Sequence, residues 1–293
     1  MIRTIVCGYG RWGSVLAARA REHAAFDVIG VAEPEKAQLV RAAADGFSVW
    51  STLEDALEEQ PQLVVVATPI MIASRMSVLA SSSGAHVLVA KPGAVSTSTA
   101  RQMINAATRN ERSLTVDYTL LVSPKWQRIR ALSDSLGQVR YMDATRTTPT
   151  QRSASELISD LCVHDLSLVS DISFGREWRV IRSSSSPLRA RVILEDSEAR
   201  VGVYARRTDS TQDRHCHVVF EHGYATWDQL RDTLTTWSNG DSTYEGPERV
   251  DLVTRRFDQV RRVIEDGEAD NRAEFVRVTQ LLEAALEAPA YAA

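Results

Sequence analysis

The apolar positions follow two different rhythms, and the change between them divides the chain. Up to about residue 118, short continuous apolar runs alternate with segments of helical spacing. Thr4 to Cys7, Phe26 to Ala32, Leu63 to Ala67, His86 to Ala90 and Ser113 to Tyr118 read as strands. The run Leu63-Val64-Val65-Val66-Ala67 has no polar face, as expected of a parallel strand buried on both sides. Between the strands, Trp12, Val15, Leu16 and Ala20 recur at helical spacing, as do Ala100, Met103, Ile104 and Ala107. Segments 35–44, 53–59 and 71–81 complete the helices. Repeated strand–helix alternation predicts an α/β fold with a doubly wound parallel sheet, which binds ligands at the carboxyl ends of its strands.

From Gln138 the period becomes two. Val139, Tyr141 and Asp143 alternate with Arg140, Met142 and Ala144, and segments 189–194, 201–205 and 216–220 repeat the pattern. Such runs predict a largely antiparallel sheet with one face covered. Val253, Phe257, Val260 and Ile264 mark one late helix, and Phe275, Val278, Leu282, Ala285 and Leu286 a second. The expected organisation is a dinucleotide-binding domain over 1–118 and an α+β domain over 119–293. The final helix is allowed to pack back on the first domain.

Composition narrows the function classes. A net charge of −4 over 293 residues gives no basic footprint for nucleic acid, and no Lys/Arg block marks a membrane surface. No apolar run approaches the ~20 residues of a spanning helix, and the first apolar run breaks at Gly8, too early for a signal peptide. Cys7, Cys162 and Cys216 are too few and too odd in number for a disulfide framework. A cytoplasmic protein is expected. Among the basic residues only Lys36, Lys91 and Lys125 are lysine, the one cation that readily loses its proton near neutral pH.

The first chemical signal is Gly8-Tyr9-Gly10-Arg11-Trp12-Gly13, a G-x-G-x-x-G at the passage from strand to helix. Such a turn needs glycine for its backbone conformation and for close approach of a pyrophosphate, while the following helix presents unpaired N–H groups to the anion. Glu33 ends the next strand twenty residues past Gly13, where an acid holds the adenosine ribose. These three matched elements point to a nicotinamide-type dinucleotide. Glu33 favours NAD; Arg11, able to swing toward a 2′-phosphate, keeps NADP as the alternative. Lys91-Pro92 follows a buried strand and so sits at the cofactor edge, although alone it reads equally well as a surface lysine before a strand-ending proline. Asp160 and His164 lie four apart, on one face if the segment is helical. A carboxylate-oriented histidine exchanges protons near pH 7, but an isolated D-x-x-x-H is more often a helix-start aspartate and a satisfied histidine. Asp165 is assigned to the first turn of that helix. His215 and His217 share a strand face without a third ligand at recognisable spacing, so no metal is expected.

Together these pieces resemble the Gfo/Idh/MocA family of nicotinamide-dependent oxidoreductases, which act mostly on sugars and cyclitols. The resemblance rests on the glycine turn, Ala67-Thr68-Pro69, Lys91-Pro92, Val116-Asp117-Tyr118-Thr119 with Ser123-Pro124, Leu136-Gly137-Gln138-Val139 and Asp160-x-x-x-His164, in that order. It implies a Rossmann domain in which Gly8, Gly10, Arg11, Trp12, Gly13, Glu33, Thr68, Pro69, Lys91 and Pro92 bind the cofactor. It also implies catalytic roles for Lys91, Asp160 and His164, the last toward the substrate; Tyr118, at the end of a strand on the same edge, is expected to line the pocket, and Arg146 is the candidate for an anionic substrate group. A sugar-like substrate, most similar to those of members acting on nucleotide-linked sugars, and a homo-oligomer through the C-terminal sheet are the expected partners. Ala90 stands where the family usually has glutamate, and Ser159 where related sugar enzymes often carry an aromatic residue. The rival readings are a ketone or imine reductase of a natural-product pathway and a dinucleotide-binding sensor without turnover.

Overall fold

The computed structural model describes residues 1–149, 156–172, 176–208 and 211–288. Two compact units emerge: Met1–Asp117 together with Asp251–Val276, and Tyr118–Val250 together with the chain from Arg277 onward.

The first unit is built on six parallel strands: β1 (Ile2–Cys7), β2 (Phe26–Ala32), β3 (Val49–Trp50), β4 (Leu63–Val66), β5 (His86–Ala90) and β6 (Leu114–Asp117), in spatial order β3-β2-β1-β4-β5-β6. This is the order that reverses at β1, where doubly wound sheets bind dinucleotides. Cys7 pairs with both Ala32 and Val66, Val66 with Val89, and Val89 with Val116. The strand ends are thus in register, and the residues after them line one edge. The connections are α1 (Arg11–Glu22), α2 (Lys36–Ala44), α3 (Leu53–Leu57), α4 (Ile70–Ser82) and α5 (Thr97–Arg109). Val6, Leu16, Val31, Leu63 and Leu88 meet in its core.

That core extends into residues distant in sequence. The amphipathic helix at 252–265 belongs to this unit rather than to the second, where a single division after residue 118 would put it. Phe257 and Val260 join the cluster of α1 and β2, and Phe257 meets Phe26 edge-on with ring centroids 5.1 Å apart. Beyond the helix, Asp270 and Asn271 close the open edge of β6. The Asn271 side-chain oxygen accepts from Val116 N–H and its amide donates to Val116 O, both at 2.8 Å, while Asp270 accepts from Leu114 N–H at 2.9 Å. Two side chains thereby stand in for a seventh strand, one way of blunting an exposed edge. Arg256 and Asp117, each 1% exposed, form a buried ion pair at 3.4 Å between this helix and the end of β6.

The second unit is an eight-stranded sheet. Its strands are β7 (Val139–Thr148), β8 (Arg179–Ser185), β9 (Arg189–Glu195), β10 (Arg200–Arg207), β11 (Arg214–Phe220), β12 (Gly223–Asp228), β13 (Thr233–Ser238) and β14 (Asp241–Glu245), in order β14-β13-β12-β11-β7-β10-β9-β8. Every pairing is antiparallel except β7 with β10. Strands β12 to β14 leave little apolar signal in sequence, because Ala225, Trp227 and Leu234 are their only fully buried apolar side chains. Helices α6 (Pro124–Ala131) and α7 (Ser133–Leu136) precede β7, and the late helices are α9 (Leu252–Glu265) and α10 (Arg272–Glu287). Between β7 and β8 a π-helical turn, Leu157–Cys162, runs directly into α8 (Val163–Ile172) and packs on β9 and β10. The cut between the units falls inside α10, after Val276.

Arg256→Leu removes one partner of the buried pair and leaves the Asp117 carboxylate in place. Such a change costs about 3–5 kcal/mol, and denaturant unfolding should show it as a lower midpoint. A midpoint within error of the wild type would mean that the pair does not hold α9 to the sheet.

Candidate active site

The glycine turn begins where β1 meets α1. Gly8 has φ +96°, a conformation L side chains rarely adopt, and a Cβ there would lie 2.8 Å from the Ala67 carbonyl oxygen. At Gly13 a Cβ would fall 2.0 Å from the Gly8 carbonyl oxygen, so the first turn of α1 can rest on the strand end only without a side chain. Gly10 is different. Nothing lies within 4 Å of a Cβ built there, so the space above it is open. Gly10 offers no side chain to cap α1, and the first turn holds no acidic residue, leaving its N–H groups and partial positive charge available to an anion. Thr68 Oγ1, across the turn, is buried without a hydrogen-bond partner. Open space, uncapped N–H groups and an orphaned hydroxyl together fit a dinucleotide pyrophosphate.

Around this turn the expected residues take distinct places. Arg11 and Trp12 are exposed on the first turn of α1, and Pro69 is exposed at the start of α4. Glu33 is 8% exposed; its carboxylate accepts from Tyr9 N–H at 2.6 Å and Glu35 N–H at 2.8 Å. Two backbone donors thus hold it at the end of β2, and a carboxylate retains further acceptor capacity for ribose hydroxyls. Tyr9 carries no sequence signal as a site residue, yet it anchors the loop. Its hydroxyl donates to Asp45 at 2.7 Å, the Arg41 guanidinium lies 5.0 Å from its ring centroid, and Phe47 meets it edge-on. Burial, with Asp45 beside it, pushes the Tyr9 phenol up to about 12. Lys91 follows β5 on the same edge and is half-buried, joined to buried Pro92 by a cis peptide.

In the second unit, Asp160 lies in the π-helical turn and His164 in the first turn of α8, both half-buried. The segment is helical, with π-winding before α-winding, and either winding returns to the same side after four residues. π-Turns within helices frequently occur at functional sites. Asp165 lies in the first turn of α8, as the sequence places it, and is paired there. It is fully buried and accepts two hydrogen bonds from Arg146, from Nε at 3.1 Å and from Nη2 at 2.8 Å. Arg146, 3% exposed, also donates to Gln229 at 2.9 Å. Its charge is met by Asp165 inside the unit, so Arg146 is a structural cation fixing α8 to β7 rather than a receptor for an anionic substrate group. Tyr118, the first residue after β6, is 1% exposed.

The remaining reactive groups have other duties. Lys125 is buried and paired with Glu245 at 3.1 Å and Glu248 at 3.2 Å. Burial pushes the Cys7 thiol up to about 12 and raises Cys162 and Cys216 as well, which leaves no thiolate nucleophile. His217 bonds Thr226 at 2.7 Å and His215 bonds Asp213 at 3.1 Å; among the described residues no three side chains are grouped to hold a metal.

Residues 2–118 match the model of the GFO_IDH_MocA oxidoreductase family, NAD-binding Rossmann fold. The first domain of this chain is thus similar to that of the Gfo/Idh/MocA oxidoreductases. It is 25% identical over 280 residues to UDP-N-acetylglucosamine 3-dehydrogenase of Acidithiobacillus ferrooxidans, covering 90% of this chain and 87% of that protein. A solved structure of the same dehydrogenase superposes with a TM-score of 0.86 at 22% identity, covering 98% of this chain and 99% of that one. The 3-ketoreductase KijD10 of Actinomadura kijaniata, solved with NADP and TDP-benzene, gives 0.87 at 14% identity over 98% and 97% of the two chains. These superpositions establish the shared fold. The family's cofactor is a nicotinamide dinucleotide, and the turn described above is where it fits.

Gly10→Val fills open space and touches nothing, so it should abolish NAD binding by calorimetry while leaving the cofactor-free Tm unchanged. Gly13→Ala, driven into the Gly8 carbonyl, should lower that Tm itself, by the ~1–3 kcal/mol of overpacking. The held Glu33 carboxylate should make the Kd for NADH lower than that for NADPH. The reverse order would mean that Arg11 governs the choice.

Proposed function

We propose that this protein transfers hydride between a nicotinamide dinucleotide and a ring carbon of a sugar-like substrate, interconverting a secondary alcohol and a ketone, and that the substrate is a nucleotide-linked sugar. The observation that carries the first part is the single strand-end edge on which the open glycine turn, Glu33 and Lys91 are set in register. The substrate class is supported by the relative that acts on UDP-N-acetylglucosamine, whose similarity runs through both halves of the chain.

When bound, the nicotinamide supplies or accepts the hydride. The glycine turn, Thr68 and the first turn of α1 hold the pyrophosphate, and Glu33 the adenosine ribose. His164 takes the hydroxyl proton during oxidation and returns it during ketone reduction, with Asp160 orienting the imidazole and fixing its tautomer. Lys91 donates to the reacting oxygen and stabilises the negative charge that develops there, as a preorganised cation does in a site shielded from water. Tyr118 lines the pocket. A second copy of the chain is assigned to the face of the eight-stranded sheet that carries Tyr141, Tyr224 and Trp237, all more than a third exposed.

Incubation with NAD+ and a panel of UDP- and TDP-linked sugars, free sugars and inositols should give steady NADH production with a nucleotide sugar. Cofactor binding without turnover on any of them would favour a sensor. Lys91→Ala and His164→Ala should each lower kcat by roughly 10²–10⁴. Asp160→Asn should resemble His164→Ala without adding to it in the double variant. Full activity per folded molecule in His164→Ala would make the Asp160–His164 dyad structural.

A further inference from the structure

A carboxylate selects between two dinucleotides only where its direction is fixed. At the end of β2 the Glu33 main chain is set by its own N–H, which donates to the Trp50 carbonyl at 2.9 Å. Each carboxylate oxygen then takes one backbone donor, Oε1 that of Glu35 and Oε2 that of Tyr9. The Glu35 donor is two residues on and moves with Glu33. Tyr9 N–H, at 2.6 Å, comes from the loop after β1 and ties the carboxylate to the glycine turn.

That amide stands between Gly8 and Gly10, the residue type whose backbone is least restricted. Its place is therefore set less by the local chain than by what the Tyr9 side chain touches. Tyr9 is 2% exposed. Its hydroxyl donates at 2.7 Å to Asp45, 36 positions on at the end of α2. Phe47 meets the ring edge-on with centroids 5.8 Å apart. Arg41 lies with its guanidinium 5.0 Å from the ring centroid and donates to the Tyr9 carbonyl. The receiving end is anchored in turn. Asp45 N–H donates to the Arg41 carbonyl at 2.9 Å, and the Asp45 carbonyl accepts from Arg21 at 2.7 Å. A phenol on a carboxylate is a charge-assisted hydrogen bond, the stronger class. With the phenol pushed up to about 12 by burial and by Asp45, that bond persists through neutral pH.

We propose that Tyr9 sets the choice between NAD and NADP: its side chain, clamped by Asp45, Arg41 and Phe47, fixes the loop amide that aims the Glu33 carboxylate at the 2′-hydroxyl of the adenosine ribose. Tyr9 is a positioning residue, acting through Glu33 and not on the ligand. The inference rests on the assignment of that ribose to Glu33.

The test is calorimetric Kd for NADH and for NADPH in wild type, Tyr9→Phe, Asp45→Ala, Glu33→Gln and the double variant of the last two. Tyr9→Phe keeps the ring and deletes the tether. Asp45→Ala cuts the same tether from its exposed end and carries the test if Tyr9→Phe does not fold. The ratio of the NADPH Kd to the NADH Kd should fall about fivefold or more in each single variant, and the double variant should match Glu33→Gln alone. A lower Tm with an unchanged ratio is what a purely structural tyrosine gives, and it overturns the proposal. So does a fall in Asp45→Ala that adds in full to that of Glu33→Gln, because the tether would then act by another route. A ratio unchanged in Glu33→Gln removes Glu33 from the ribose and the proposal with it. A ratio that falls in Glu33→Gln but in neither tether variant keeps the ribose assignment and overturns the clamp alone.

Discussion

The cofactor half of this protein depends on an absence of atoms. Helix α1 starts so close to the end of β1 that a methyl group at Gly13 would fall 2.0 Å from the Gly8 carbonyl oxygen. That approach brings the uncapped first turn of α1 over the strand edge, where its N–H groups can serve a ligand instead of a side chain. Gly8 supplies the left-handed conformation that redirects the chain, and Gly10 leaves room above it. The three glycines therefore do different things, and only Gly10 leaves its space to the ligand.

The surrounding scaffold keeps that edge in place. Paired strand ends put Gly8, Glu33, Ala67, Ala90 and Asp117 in one row, and the loop after β1 is tied down by Tyr9, Arg41 and Asp45. At the far side of the sheet the returning chain completes the structure. Asn271 and Asp270 satisfy the backbone of β6, and Arg256 meets Asp117 in the interior. A charge buried there is tolerable because its partner is buried with it.

The second unit uses the same device for another purpose. Arg146 and Asp165 form a two-pronged pair between β7 and α8, which fixes the rotation of the helix carrying His164 in the preceding position. The π-helical turn then sets Asp160 on the same side. Adjacent residues thus differ in setting, Asp165 fully buried against Arg146 and His164 half-buried beside it. On the opposite face of the sheet, the missing side chain at Gly202 makes room for the Tyr204 ring, over which the Arg191 guanidinium lies.

The local code was enough for what depends on neighbours in sequence. Continuous apolar runs with β–α alternation determined the parallel sheet. Period-two runs announced the second sheet, and G-x-G-x-x-G marked the tight passage from β1 into α1, because such patterns arise from backbone geometry within a few residues. Polar strands such as Thr233–Ser238 escaped, since one side chain of six is fully buried and periodicity has little to register. Only the tertiary structure decided the duties of the charged residues. Arg146, Asp165, Lys125 and Arg256 look like surface or site groups in sequence, yet each is buried against a partner 19 to 139 positions away. Charge pairing across such separations is set by which elements pack together, and no local pattern encodes it. The same holds for α9, whose amphipathic spacing shows that it has a buried face but not that the face belongs to the first unit.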